Sequence, residues 1–153
     1  MKFKIISIGK FSKDCPYSRI FQEYKKRISN ISLIEIRSLN LKNKFSLDEK
    51  KNYEKKIIYQ HFKDHEKIII LDRKGKDFSS IELSDFFQKQ MLNSIQNIIF
   101  IIGGSDGLAD SFFKDFESIS FGKNTWPHLL IRVMLIEQIY RSLQIMKGHP
   151  YHK

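Results

Sequence analysis

The chain of 153 residues contains a single cysteine, Cys15, and only three prolines. One cysteine excludes an internal disulfide and a metal site built from several thiolates, and no metal site is predicted. No apolar run approaches the roughly 20 residues that a bilayer-spanning helix needs. The opening MKFKIISIGK has a short apolar core and no small-residue cleavage site, so we interpret it as a first strand and not as a signal peptide. Together these absences favour a cytoplasmic protein.

Alanine is almost absent, at one residue against 24 isoleucines, whereas positive charge is abundant. The formal net charge is +10, of which residues 1–67 carry +9 and residues 68–153 carry +1. A polyanionic partner such as RNA is one explanation, and its contact surface would then draw heavily on the first half of the chain. A solvated lysine surface, in a composition skewed towards isoleucine and lysine, is the other.

Short apolar runs alternate with amphipathic segments along the chain. Capping boxes at Ser46-x-x-Glu49 and Ser79-x-x-Glu82 predict two helix starts, and Asp14 is the predicted cap of an earlier helix. We predict strands at 3–9, 31–39, 67–72, 97–102 and 117–121, a short helix at about 108–116 and a long one at about 127–146. The alternation predicts an α/β fold, a parallel sheet flanked by helices, in a single domain spanning residues 1–153.

Parallel sheets bind ligands beyond the carboxyl ends of their strands, which here points to Leu71–Asp72, residues 103–107 and the loop after Ser120. The glycine loop at 103–107, GGSDG, lacks the lysine of a triphosphate-binding loop and the spacing of a dinucleotide fingerprint. Glycines at a strand end permit positive φ and close approach of main chain to a ligand. A bare tight turn explains the same residues, and the loop alone leaves both interpretations open.

The last helix, beginning near TWPHLLIR, carries a polar pair among apolar residues. Thr125 is its predicted cap, and His128 and Arg132 are four residues apart and share one face. They are either site residues or a helix cap with a buried ion pair. Most other positions are apolar around the whole helix, which must then be covered on all sides, so a homodimer is predicted.

The tail GHPYHK combines an aromatic residue, two histidines and a lysine after a break in the last helix. Such groups can contact RNA by stacking and by pairing with phosphates. A solvated terminus without a function is the alternative.

Three segments together resemble one family: IIGGSDGL at 101–108, TWPHLLIRVMLIEQIYR at 125–141 and HPYHK at 149–153. They are similar to the H-type large-subunit rRNA pseudouridine-N3 methyltransferases, the RlmH family of the SPOUT superfamily, and the resemblance covers the whole chain. It implies a trefoil knot near the C-terminus, a homodimer, and methylation of a pseudouridine in 23S rRNA of the assembled ribosome. The rivals are a SPOUT enzyme for another RNA base and a non-catalytic RNA-binding or ribosome-associated dimer.

The resemblance also implies the site residues. S-adenosylmethionine would be held largely by main-chain groups of three loops, at Leu71, Gly103, Phe121, Gly122, Lys123, Asn124, Thr125 and Trp126. The last of these loops departs from the family's usual Leu-Ser-x-Met-Thr-Leu/Phe. His128 and His152 are the candidate bases, Arg132 is the candidate electrostatic stabiliser, and Tyr151 and Lys153 are the candidate RNA contacts.

Overall fold

The computed structural model describes residues 1–38 and 46–152, in which strands and helices alternate. The strands are β1 (Lys2–Ile8), β2 (Ile31–Ile36), β3 (Glu66–Asp77), β4 (Asn97–Ile102) and β5 (Glu117–Ser120). The helices are α1 (Pro16–Arg27), α2 (Leu47–Tyr59), α3 (Ser80–Leu92), α4 (Ser111–Asp115) and α5 (His128–Met146). None of these described helices is long and apolar enough to cross a membrane.

The strands form one sheet in the order β2-β1-β4-β3-β5, and every pairing is parallel. Alternate strand residues face opposite sides, so each face has its own apolar core. Ile5 and Phe100 pack with α1, α3 and α5, whereas Ile6 and Ile101 pack with α2 and α4. The predicted α/β fold, with a parallel sheet flanked by helices, is confirmed; the C-terminal knot stays a prediction from the resemblance. All carboxyl strand ends therefore lie at one edge.

The two predicted capping boxes are confirmed. Ser46 Oγ accepts from the Glu49 N–H at 3.2 Å while Glu49 accepts from the Ser46 N–H, and Ser79 and Glu82 do the same for α3. The two other predicted caps are wrong, because Cys15 precedes α1 and Pro127 precedes α5, each without a side-chain cap bond. A proline pushes its preceding residue to extended backbone, which places the cap at Cys15, one residue after the predicted Asp14, and the start of α1 at Pro16.

Strand β3 is longer than predicted. The strand is predicted to end at Asp72, but residues 73–77 continue it through a bulge in which Leu71 and Lys76 both pair with Ile119. A Cβ on Gly75 would lie 2.6 Å from the Ile119 carbonyl carbon, so the two backbones meet where only glycine fits. Helix α4 has five residues and is therefore shorter than the helix predicted at about 108–116.

Candidate active site

Three segments meet at the carboxyl edge of the sheet and enclose an open cleft of about 180 Å³. They are the bulged middle of β3 at Leu71–Arg73, the glycine loop after β4, and the chain between β5 and α5. The cleft is lined by Leu71, Asp72, Arg73, Ile102, Gly103, Gly104, Gly107, Leu108, Phe121, Gly122, Asn124, Thr125, Trp126, His128 and Ile131. Of the positions predicted to hold a cofactor, all but Lys123 line this cleft; Lys123 is exposed beside it.

The glycine loop is a tight turn packed against its own neighbours. The Gly107 N–H donates to the Gly104 carbonyl at 3.1 Å, and Gly107 has φ +74°. A Cβ on Gly103 would lie 3.2 Å from Leu108 Cγ, and one on Gly104 would lie 3.0 Å from Ile8 Cγ2. These two glycines therefore allow close packing of the loop on itself and on β1, while their main chain lines the cleft.

The chain between β5 and α5 is held by its own hydrogen bonds. Ser120 Oγ donates to the Gly122 carbonyl at 2.8 Å, and Trp126 Nε1 donates to the Phe121 carbonyl at 3.1 Å. Gly122 has φ +92°, with open space where a Cβ would lie. The positive φ is the physical reason that a glycine suits this point.

His128 opens α5 at the rim of the cleft. Partial burial lowers the pKa of its imidazole, and the nearby Arg132 guanidinium lowers this pKa further. Both effects disfavour the imidazolium form. Neutral imidazole, which can accept a proton, is therefore the form present at neutral pH.

Arg132 lies one turn further along α5 and is completely buried. Nη1 donates to Glu35 Oε1 at 3.0 Å, Nη2 donates to the carbonyls of Ile8 and Gly9 at 2.8 and 3.2 Å, and the guanidinium stacks over Phe11. Burial lowers the pKa of Arg132, and the Glu35 carboxylate opposes this shift. The buried ion pair considered from sequence is present. Arg132 is not among the residues that line the cleft.

The tail folds back on α5 and α1, away from the cleft of its own chain. The Tyr151 hydroxyl lies 3.2 Å from the Tyr24 hydroxyl and donates to Glu137 at 3.3 Å, and these contacts, with burial, raise the pKa of Tyr151. His152 Nδ1 is 3.5 Å from Arg141 Nη1. Arg141 is 13 residues beyond His128, about 20 Å along the helix axis.

The predicted catalytic residues thus fall into two groups within one chain: His128 and Arg132 at the carboxyl edge, and Tyr151 and His152 on the far half of α5. Lys153 lies outside the described residues. No group of three or more His, Cys, Asp or Glu side chains in residues 1–38 and 46–152 could hold a metal ion.

Sequence reasoning missed the partner of Arg132. Glu35 stands in a strand of mostly apolar residues, and a carboxylate in such a strand requires a cation or several donors. That signal was available. Asp72 lies at the strand end predicted to bind a ligand but is not among the predicted cofactor positions. Arg73, which also lines the cleft, was not predicted as a site residue.

Comparison with known proteins identifies the family of the chain. A family model described as "Predicted SPOUT methyltransferase" matches residues 1–152. The chain is 39% identical to a Ribosomal RNA large subunit methyltransferase H of Mycoplasma mobile and 41% identical to one of Mycoplasmopsis synoviae, over the full length of each. A protein of the same name from Clostridium botulinum is 39% identical, again over both whole chains. The chain therefore belongs to the SPOUT methyltransferase family.

Proposed function

We propose that this protein is an S-adenosylmethionine-dependent methyltransferase that methylates N3 of a pseudouridine in 23S rRNA of the assembled ribosome, in the cytoplasm. The observation that carries the proposal is the cleft, in which seven of the eight predicted cofactor positions meet although they come from three separate segments. Its relatives of the same length are named as large-subunit rRNA methyltransferases.

The residues of the cleft fit a nucleoside methyl donor. Ile102, Leu108 and Ile131 give apolar walls suited to a flat base, and the glycines leave main-chain groups without side chains in front of them. Asp72 adds one carboxylate at the rim, which suits a cationic or hydroxyl-bearing group. When bound, S-adenosylmethionine supplies a methyl group on a positively charged sulfur.

In this reaction the protein has to remove one proton, the one on N3 of the pseudouridine. The N3–H of pseudouridine is an imide and attacks poorly until its proton leaves, so N3 would lose that proton as its lone pair forms the bond to the methyl carbon. The methyl–sulfur bond would break in the same step and leave a neutral thioether. His128 is at the cleft rim with a lowered pKa and can accept the proton as neutral imidazole. In-line positioning of the two reactants provides the rest of the acceleration.

Arg132 is buried one helical turn from His128 and does not line the cleft. Its charge is fixed by Glu35 and two strand-end carbonyls, and it keeps the His128 imidazole neutral by repelling a second positive charge. We therefore propose that Arg132 tunes the pKa of His128, and its role as a stabiliser of the deprotonated target stays a prediction.

Tyr151 and His152 reach a cleft only if the tail serves a second subunit. In their own chain Tyr151 is held at Glu137 and His152 at Arg141, about 14 and about 20 Å from His128 along the helix axis. A groove of about 500 Å³ beside them is lined by Ile20, Tyr24, Met134, Glu137 and other residues of α1, α5 and the start of α3. Half-exposed Ile20 in this groove supports a homodimer formed through this face, with the tail donated in trans.

The deciding experiment is methylation of purified assembled ribosomes from a strain lacking this enzyme, with labelled S-adenosylmethionine and mass mapping of the rRNA. We expect one methyl group on a pseudouridine. A methyl group on another base identifies a different SPOUT specificity, and absence of cofactor binding by calorimetry supports the non-catalytic RNA-binding dimer.

The base assignment has its own test. His128→Ala and His152→Ala are compared in single-turnover reactions, and we expect both to lose the methyl transfer step, the first as the base at the cleft and the second as a site residue of the donated tail. Unchanged rates for both variants remove both histidines as bases.

A further inference from the structure

Helix α2 contacts the glycine loop and α4 through three polar bonds in regular succession. Lys50 Nζ donates to Asp106 Oδ2 at 2.5 Å, Lys55 Nζ to Ser111 Oγ at 2.7 Å, and the Tyr59 hydroxyl to Asp115 Oδ2 at 2.9 Å. Each pair is separated by 56 residues in sequence, so α2 runs alongside residues 106–115 in a constant register. We call these three bonds the α2 ladder.

The first bond of the ladder is the one that touches the cleft-forming turn. Lys50 is 7% exposed, although lysine is almost never buried without a partner. Its partner Asp106 is at the exposed tip of the turn between Gly104 and Gly107, both of which line the cleft. Within the described part of the chain, Asp106 is the one side chain of residues 103–110 that makes a hydrogen bond or ion pair.

Apart from apolar packing, the rest of this turn is held by a backbone bond. One N–H to carbonyl bond closes it, and Gly107 has the backbone freedom of a glycine. Loss of the Lys50 ammonium removes the side-chain anchor of the tip, and loss of the Asp106 carboxylate leaves a buried ammonium uncompensated. Either change gives the turn more conformations in which the cleft is not formed.

We infer that Lys50 is a positioning residue for methyl-donor binding, acting through Asp106 to hold the glycine loop in its binding shape. The inference rests on the proposed function, since it assumes that the donor occupies this cleft. Lys50 does not line the cleft and takes no part in the proton transfer. Its effect is therefore on the affinity for the donor and not on the affinity for RNA.

The test compares Lys50→Met, Lys50→Arg and Asp106→Asn by calorimetry with S-adenosylmethionine. We expect Lys50→Met and Asp106→Asn to weaken binding by roughly tenfold, with no further loss when they are combined, because both break one interaction. Lys50→Arg retains a cation and recovers most of the affinity. In steady-state assays the KM for the donor rises while the KM for assembled ribosomes is unchanged.

Two control variants lie on the same helix. Lys56→Met removes an exposed lysine with no side-chain partner among the described residues, and Tyr59→Phe removes the bond of the ladder farthest from the turn. Both should bind the donor as the wild type does. Equal loss in Lys56→Met and Lys50→Met, or unchanged affinity in Lys50→Met, overturns the inference.

Hydrogen exchange of residues 103–110 without the donor tests the same inference independently. We expect faster amide exchange in Lys50→Met than in the wild type, confined to this loop, and unchanged exchange contradicts the positioning role. A wild-type protein that binds no donor refutes the proposed function, whereas a wild type that binds beside an unaffected Lys50→Met refutes only the role of Lys50.

Discussion

At the scale of single residues, Gly103 shows that a ligand site can require a glycine for the packing of its own loop. A Cβ on Gly103 would lie 3.2 Å from Leu108 Cγ and 3.3 Å from the Gly107 carbonyl carbon. From the sequence, glycines at this strand end are predicted to let main chain approach a ligand. The structure adds that Gly103 lets the loop close upon itself.

Gly103→Val is expected to abolish binding of S-adenosylmethionine, because the branched side chain forces Leu108 and the turn apart. Gly103→Ala adds one methyl group that needs a shift of only a few tenths of an ångström, so a weakened but measurable affinity is expected. Calorimetry measures both, and thermal melts establish that each variant is folded. Wild-type affinity in Gly103→Val contradicts the prediction.

The pH dependence of the reaction reports on His128. Its pKa lies below the ordinary value of 6.5, so the neutral imidazole persists at pH 6.5 and is lost only as the pH falls further. We expect kcat/KM for assembled ribosomes to have an acid limb with its midpoint below pH 6.5. In His128→Gln this limb should disappear together with most of the rate, and a limb that survives the substitution assigns the titration to another group.

At the scale of elements, α5 is fastened to the sheet by one buried side chain. Arg132 joins the helix to the ends of β1 and β2 through Ile8, Gly9 and Glu35. Because a Cβ on Gly9 would lie 3.3 Å from Arg132 Nη2, the glycine makes room for this contact. The cleft wall formed by the start of α5 depends on this attachment.

Arg132→Met is expected to reduce the free energy of unfolding by about 3 kcal/mol, because it breaks a buried pair and leaves its acceptors without a donor. Glu35→Gln removes the charge but keeps an acceptor, so a smaller loss is expected. Urea denaturation of both single variants and the double variant gives the coupling between them. A double variant whose loss equals the sum of the single losses shows that the two side chains are energetically independent.

Elements were predictable where the signals were local. The capping boxes at Ser46 and Ser79 join side chains to main chain three residues away, so the starts of α2 and α3 follow from the sequence. The continuation of β3 through residues 72–77 did not follow, because exposed polar residues there pair with β5 more than forty residues away. Tertiary pairing outweighed local preference at this bulge.

At the scale of the whole molecule, donation of the tail in trans predicts complementation between two inactive variants. His128→Ala and His152→Ala are refolded together in equal amounts, so that half of the dimers are mixed. Each mixed dimer then has one cleft with an intact His128 and an intact tail from the partner. About a quarter of the wild-type activity is expected, given random pairing in a two-fold symmetric dimer.

Donation in cis predicts no recovery in this mixture, since each mixed dimer then has one defect in every site. Light scattering on the wild type supplies the control for the dimer itself. Met134→Asp, which places a charge in the groove beside the tail, is expected to yield monomers. A monomeric wild type contradicts both the dimer and the tail exchange.

By itself the sequence determined the α/β class, the ligand-bearing edge, and most cleft positions, the last through its resemblance to one family. Those features depend on periodicity, on contacts within a few residues, and on motifs that lie in one stretch each. The tertiary structure alone decided which distant groups meet. It joined Lys50 to Asp106 and Arg132 to Glu35, and it separated Tyr151 from His128 within one chain. Such contacts depend on the order β2-β1-β4-β3-β5, and no local preference of the chain encodes a strand order.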